Sequence, residues 1–122
     1  MKRIAIWGTG ITGQTWYWAV KNIVSVECFY TNTAERFGSA IFDVPVKKWT
    51  PDDDIFIVIA SASWKDIALQ LQRAGKQPIR DFMPWLTYTA HMRNVSYYSI
   101  YETRILNSWG GVLNTAKLKN VF

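Results

Sequence analysis

Cysteine and histidine are almost missing from this chain: Cys28 and His91 are the single examples in 122 residues. One thiol excludes an intramolecular disulfide. One thiol plus one imidazole falls short of a Cys/His zinc site. Cys28 sits in an apolar, strand-like run, where packing is its expected role. No apolar run approaches the roughly 20 residues of a membrane-spanning helix. The chain reaches "KRIAIW" at once, without the apolar leader of a secreted protein, so the cytoplasm is the expected location. There is no basic stripe either. The 14 Lys and Arg residues exceed the nine Asp and Glu to give a net charge of +5. They are scattered, apart from Lys2-Arg3 and Lys47-Lys48, which argues against a nucleic-acid groove. A modest positive field suits a small anionic ligand.

What is present fits one globular domain: 49% of the residues are apolar and 19% charged. A chain of this length buries roughly two thirds of its unfolded surface and folds without staples. Seven Trp and six Tyr are an unusual number. Most of these rings are expected in the core, with some left for an interface or a stacking site.

The apolar pattern changes period along the chain. "RIAIW", 3–7, is nearly continuous, as in a strand covered on both faces. From Thr12 the spacing becomes helical, with Trp16, Ala19, Val20 and Ile23 on one stripe. "VSVECFY", 24–30, returns to strand character. "TNTAERFGSAIFD", 31–43, is a polar connection. "VPV", 44–46, is a short strand that Pro45 assigns to a sheet edge. "TPDDD", 50–54, is a turn before the clearest strand, "IFIVIA", 55–60. Ser63 opens a second helix with Asp66 in capping-box position, and Gly75 closes it. "PIRDFM", 78–83, reads as a last strand, and "YYSIYETRILNSW", 97–109, as an aromatic helix. The expected fold is α/β, a Rossmann-like open, mostly parallel sheet flanked by helices, with a C-terminal helical extension. The core covers 1–86. The extension and tail, 87–122, belong to the same domain or begin a further one, and the aromatic helix offers a surface for a homo-oligomer.

The chemistry concentrates at "WGTGITGQ". Gly8, Gly10 and Gly13 have the G-x-G-x-x-G spacing, after a strand and before a helix. That context makes an anion-binding turn: backbone amides converge at a helix N-terminus that carries roughly half a positive charge. Thr9, Ile11 and Thr12 complete the turn. The fingerprint's acidic residue at the end of the second strand is missing. Thr31 and Asn32 stand there instead, and Arg36 nearby suits a 2′-phosphate or plain solvation. Ala60 and Ser61 end the clearest strand and face the same crevice, where small residues leave room for a ligand. Ser63 is expected to cap its helix.

No catalytic set emerges. Tyr17 and Lys21 have the Y-x-x-x-K spacing of short-chain dehydrogenases but lie on the first helix, away from the crevice. Asp52, Asp53 and Asp54 read as a solvated turn, and His91 has no evident base or nucleophile beside it. No metal ligands are expected.

The succession "IAIWGTGITGQ", "VECFYTNTAERFGSAIFDVPV", "DDDIFIVIASASWKDIALQLQRAG" and "IRDFMPW" resembles the small Rossmann-like domains of bacterial polysaccharide and sugar-modifying enzymes. Close parallels are the N-terminal domains of sugar acyltransferases of the sialic-acid acetyltransferase type. Similar domains accompany methyltransferases and UDP-sugar dehydratase-like proteins. The likeness covers about residues 3–85. It implies a domain that holds the nucleotide part of a UDP-sugar, with Gly8, Gly10 and Gly13 as the turn and Thr31-Asn32 at the family's Asp position. It also implies an incomplete enzyme, since the acyltransferase's left-handed β-helix and catalytic His have no counterpart. The leading expectation is a nucleotide-binding domain, for a nucleotide-sugar or a dinucleotide, that is not catalytic alone. A fragment of an NAD(P)-dependent oxidoreductase and a non-catalytic scaffold domain are the alternatives.

Overall fold

The computed structural model describes residues 2–92. Six strands form a mostly parallel mixed sheet: β1 (Arg3–Trp7), β2 (Ser25–Tyr30), β3 (Ala40–Ile41), β4 (Val44–Lys47), β5 (Phe56–Ile59) and β6 (Phe82–Pro84). Their order is β3-β4-β2-β1-β5-β6. Every neighbouring pair is parallel except β3 with β4. Helices α1 (Ile11–Val20), α2 (Trp64–Arg73) and α3 (Trp85–Met92) connect or follow the parallel strands. The fold is thus α/β. The chain builds outward from β1 on one side, to β2 and β4, and then on the other, to β5 and β6.

The continuous apolar strands have their cause in two-sided burial. Ile4 and Ile6 of β1 enter a core with Trp16 and Val20 of α1 and Tyr88 of α3. Ala5 and Trp7 enter the opposite core with Ile67, Ala68 and Leu71 of α2. Val58 and Ile59 of β5 divide in the same way. A strand that buries both rows has no polar positions to alternate. The register between β1 and β2 slips once, pairing Ile4 with Val26 but Ala5 with Cys28, so Glu27 bulges out. Arg3 Nε meets Glu27 Oε1 there at 2.7 Å, an exposed pair that contributes little.

Several expectations need correction. Pro45 is not on an edge strand: β4 lies between β2 and the two-residue β3. The missing N–H is tolerated because Pro45 registers with Ala40 of β3, while Val46 and Lys47 register with β2. The β3–β4 hairpin turns at Phe42 and Asp43, both with positive φ (52° and 64°). Such turns favour Asn-Gly. Here the Phe42 ring stacks on Tyr17 at 5.3 Å and anchors the turn to α1. The last strand begins at Phe82, not Pro78. Residues 78–81 form a turn in which Asp81 Oδ2 accepts from the Gln77 amide at 2.8 Å and from Arg80 Nη2 at 2.9 Å.

On α1 the buried residues are Gly13, Trp16 and Val20, while Ile23, beyond the helix end, is 58% exposed. Helix α3 lies where the C-terminal helical extension is expected to begin, ahead of the helix read over 97–109. It follows Pro84 directly and buries Thr87 and Tyr88. Trp16 Nε1 donates to Thr89 Oγ1 at 2.8 Å, and that hydroxyl donates to the Trp85 carbonyl at 2.7 Å, fastening α3 to α1. It crosses the expected 86/87 boundary. Helix α2 ends as expected: Gly75 adopts φ 92°, and Lys76 N donates to the Leu71 carbonyl at 3.0 Å. The aromatic helix expected over 97–109, and the self-association assigned to it, lie outside the described residues. Among the described residues no helix is long and apolar enough to cross a membrane.

Candidate functional site

The carboxyl ends of β1, β2 and β5 open into a crevice of about 500 Å³, at the point where the strand order reverses. Nine of the ten residues singled out in the sequence line it: Gly8, Thr9, Gly10, Ile11 and Thr12 of the turn, Thr31 and Asn32 after β2, and Ala60 and Ser61 after β5. Gly13 does not. It packs instead.

The three glycines differ in what surrounds them. A Cβ on Gly8 would run into the Ala60 carbonyl, and its φ of 145° disfavours any other residue. A Cβ on Gly13 would run into the Gly8 carbonyl. These two let β1, β5 and the first turn of α1 close on one another. Among the described residues nothing lies within 4 Å of a Cβ on Gly10. Gly10 lines the crevice, and packing among the described residues does not account for it.

Gly10 is also the N-cap of α1. It offers no side-chain acceptor, and no acidic residue stands in the first turn. The first internal bond of the helix runs from Gln14 N to the Gly10 carbonyl at 3.0 Å. The amides of Ile11, Thr12 and Gly13 therefore find no acceptor among the described residues, as the geometry of a helix start requires. Ile11 is 86% exposed beside them. Gly8 N continues the sheet ladder, donating to the Tyr30 carbonyl at 3.1 Å. The Thr9 carbonyl accepts from Gln14 Nε2 at 2.9 Å and from Arg36 Nη1 at 3.3 Å. Arg36, exposed on a short 3-10 turn (Ala34–Arg36), thus brings its cation to the turn.

The opposite wall is less legible in the sequence. Thr31 is buried, and its Oγ1 accepts from Thr33 N at 3.1 Å, which shapes the loop after β2. Asn32 and Gln70 exchange two hydrogen bonds, Nδ2 to Oε1 at 2.8 Å and Nε2 to Oδ1 at 3.2 Å. Gln70 belongs to α2, so this amide pair ties the end of β2 to that helix. Ser63 stands at the N-cap of α2 but makes no side-chain cap bond, which corrects the capping-box reading. Ser61 Oγ accepts from Ser63 N instead, at 3.1 Å. Asp66, released from that role, lines the crevice with Ser63, Ile67 and Gln70. A signal for this wall existed. With Trp64, Ile67, Ala68 and Leu71 facing the core, the adjacent stripe at 63, 66 and 70 had to face elsewhere.

The groups with perturbed proton affinity lie outside the crevice. Burial raises the Cys28 thiol, and burial first, then the neighbouring Cys28 and Asp53, raises the Tyr30 phenol. Tyr30 Oη donates to Asp53 Oδ2 at 2.9 Å, so the half-buried Asp53 ties its turn to β2 and is not simply solvated. Asp52 and Asp54 are exposed. Among the described residues no three His, Cys, Asp or Glu side chains gather as a metal site.

No protein-family model, curated protein or solved structure matches this chain.

Proposed function

We propose that the chain is a Rossmann-like nucleotide-binding domain that holds the phosphates of a nucleotide at the first turn of α1. The observation that carries this reading is the contrast among the glycines: Gly8 and Gly13 are consumed by packing, whereas Gly10 lines the crevice with no described atom against its Cβ position, beside three amides that have no acceptor among the described residues. A phosphate oxygen satisfies those amides and interacts favourably with the helix dipole. The position at a reversal of strand order, and a volume within the range of small-molecule pockets, support the same reading. The ligand is a nucleotide-sugar or a dinucleotide. By the resemblance to sugar acyltransferase domains, the chain serves a polysaccharide or sugar-modifying enzyme and is not catalytic alone. Arg36, at the Thr9 carbonyl, favours NADP among dinucleotides and sustains the second reading, a fragment of an NAD(P)-dependent oxidoreductase.

The test is a thermal-shift panel of UDP-sugars, NAD, NADP and CoA on wild type and Gly10→Asp. A ligand at 100 times its dissociation constant stabilises the fold by about 2.7 kcal/mol. Asp is a favoured N-cap residue, so Gly10→Asp is expected to fold at least as stably as wild type while its carboxylate occupies the anion position. The expected result is a shift with at least one nucleotide that the variant loses. Equal shifts in both proteins, or none in either, would reject the proposal.

A further inference from the structure

The crevice has a carboxylate that the sequence pattern placed elsewhere. Dinucleotide-binding turns take the vicinal hydroxyls of ribose on an acidic residue at the end of the second strand. That position holds Thr31, buried and occupied with the Thr33 amide, and Asn32, paired with Gln70. Neither supplies a charge. Across the crevice, Asp66 lines the same space from the first turn of α2. It is the one acidic side chain among the described crevice-lining residues, and it makes no cap bond and no ion pair there. Gln70 lies one helical turn further along the same face, which stacks the two side chains i to i+4. The reciprocal bonds between Gln70 and Asn32 bring the loop after β2 against this stripe.

The crevice is therefore polarised. One wall offers amides and a helix N-terminus to an anion. The other offers a carboxylate, which repels an anion and accepts hydrogen bonds from hydroxyls, beside a neutral amide pair. We propose that Asp66 takes the ribose hydroxyls of the bound nucleotide, with Asn32 and Gln70 as its neutral neighbours, so that the diol-binding carboxylate comes from α2 and not from β2. This rests on the nucleotide-binding reading above and specifies which part of the ligand faces which wall. An acceptor that is charged prefers hydroxyl donors, so the wall selects an unmodified ribose over a 2′-phosphorylated one. Arg36, bonded to the Thr9 carbonyl, pulls the other way, and the relative binding of NAD and NADP reads the balance.

The experiment measures binding by calorimetry on three proteins: wild type, Asp66→Asn and Asp66→Ala. The probes are the nucleotide that gives the largest thermal shift, its 2′,3′-dideoxy analogue and inorganic diphosphate. Asp66 is exposed, so both variants are expected to keep the wild-type melting temperature within a few degrees. Removing hydrogen bonds to a charged group is expected to weaken the nucleotide about 10- to 100-fold. Diphosphate binding should stay level or tighten, because a negative charge has gone. The dideoxy analogue should lose a similar factor on wild type and nothing further on the variants. Unchanged nucleotide affinity in both variants overturns the role of Asp66 while leaving the phosphate site standing. An equal loss for nucleotide, dideoxy analogue and diphosphate also overturns it, because the effect then is not on hydroxyls. Failure of every probe on wild type rejects the nucleotide reading itself, and this inference with it.

Discussion

At the scale of single residues, the glycine turn separates packing from binding. Gly13 stands with its Cα against the Gly8 carbonyl, where any side chain meets backbone that cannot rotate away. Gly13→Ala is expected to cost about 1–3 kcal/mol through overpacking, read as a lower midpoint in urea with an unchanged slope. Gly10→Asp should show no such loss. Asp81 gives a second residue-level test. Burial opposes its ionisation, but the Arg80 guanidinium and the Gln77 amide overcome this and hold its pKa below the ordinary 3.8. A carboxylate whose pKa falls on folding stabilises fully above its unfolded value, and that stabilisation disappears as pH falls through the folded value. Asp81→Asn is therefore expected to lower the melting temperature at pH 7, with the gap to wild type narrowing below pH 3.8. A gap that is constant across this range would show that the charge is not what matters.

At the scale of elements, what the sequence reveals depends on how much of an element's burial is local. Strand β1 and helix α2 are read correctly because their apolar residues follow the period of the structure they form. Strand β4 is misplaced because Pro45 signals an edge only when both ladders pass through it, and here one ladder starts a residue later. Residues 78–81 read as strand from composition, yet Asp81 clamps them into a turn, with Ile79 at φ 72°. Helix α3 carries Trp85, Tyr88 and Met92 at helical spacing, but its hold on α1 comes from Trp16 and Thr89, 73 positions apart in sequence. No local window contains that bond. The β3–β4 hairpin yields the prediction proper to this scale. Asp43 bears a left-handed conformation that costs a non-glycine residue roughly 1 kcal/mol. Asp43→Gly is expected to raise stability by up to about 1 kcal/mol, measured by chemical denaturation. A loss would mean that the Asp43 side chain contributes more than its backbone costs.

At the scale of the whole molecule, the sheet order brings three loops, distant in sequence, to one opening. The turn after β1 was legible because its glycines and its strand–helix context are adjacent in the chain. Ala60 and Ser61 followed from the parallel order, which sends the end of β5 to the same side as the end of β1. Gln70 and Asp66 were legible only as a stripe turned away from the core, because only the packing of α2 decides that this stripe meets the loop after β2. The proposal that the first amides of α1 hold a phosphate underlies the rest. The direct measurement is a two-dimensional amide NMR titration with inorganic diphosphate and then with the best nucleotide. The largest shifts are expected on Thr9, Gly10, Ile11, Thr12 and Gly13 with both ligands, and the nucleotide alone is expected to add shifts at Asn32, Asp66 and Gln70. Saturable binding with the Thr9–Gly13 amides unmoved, or no binding of either compound, would contradict it.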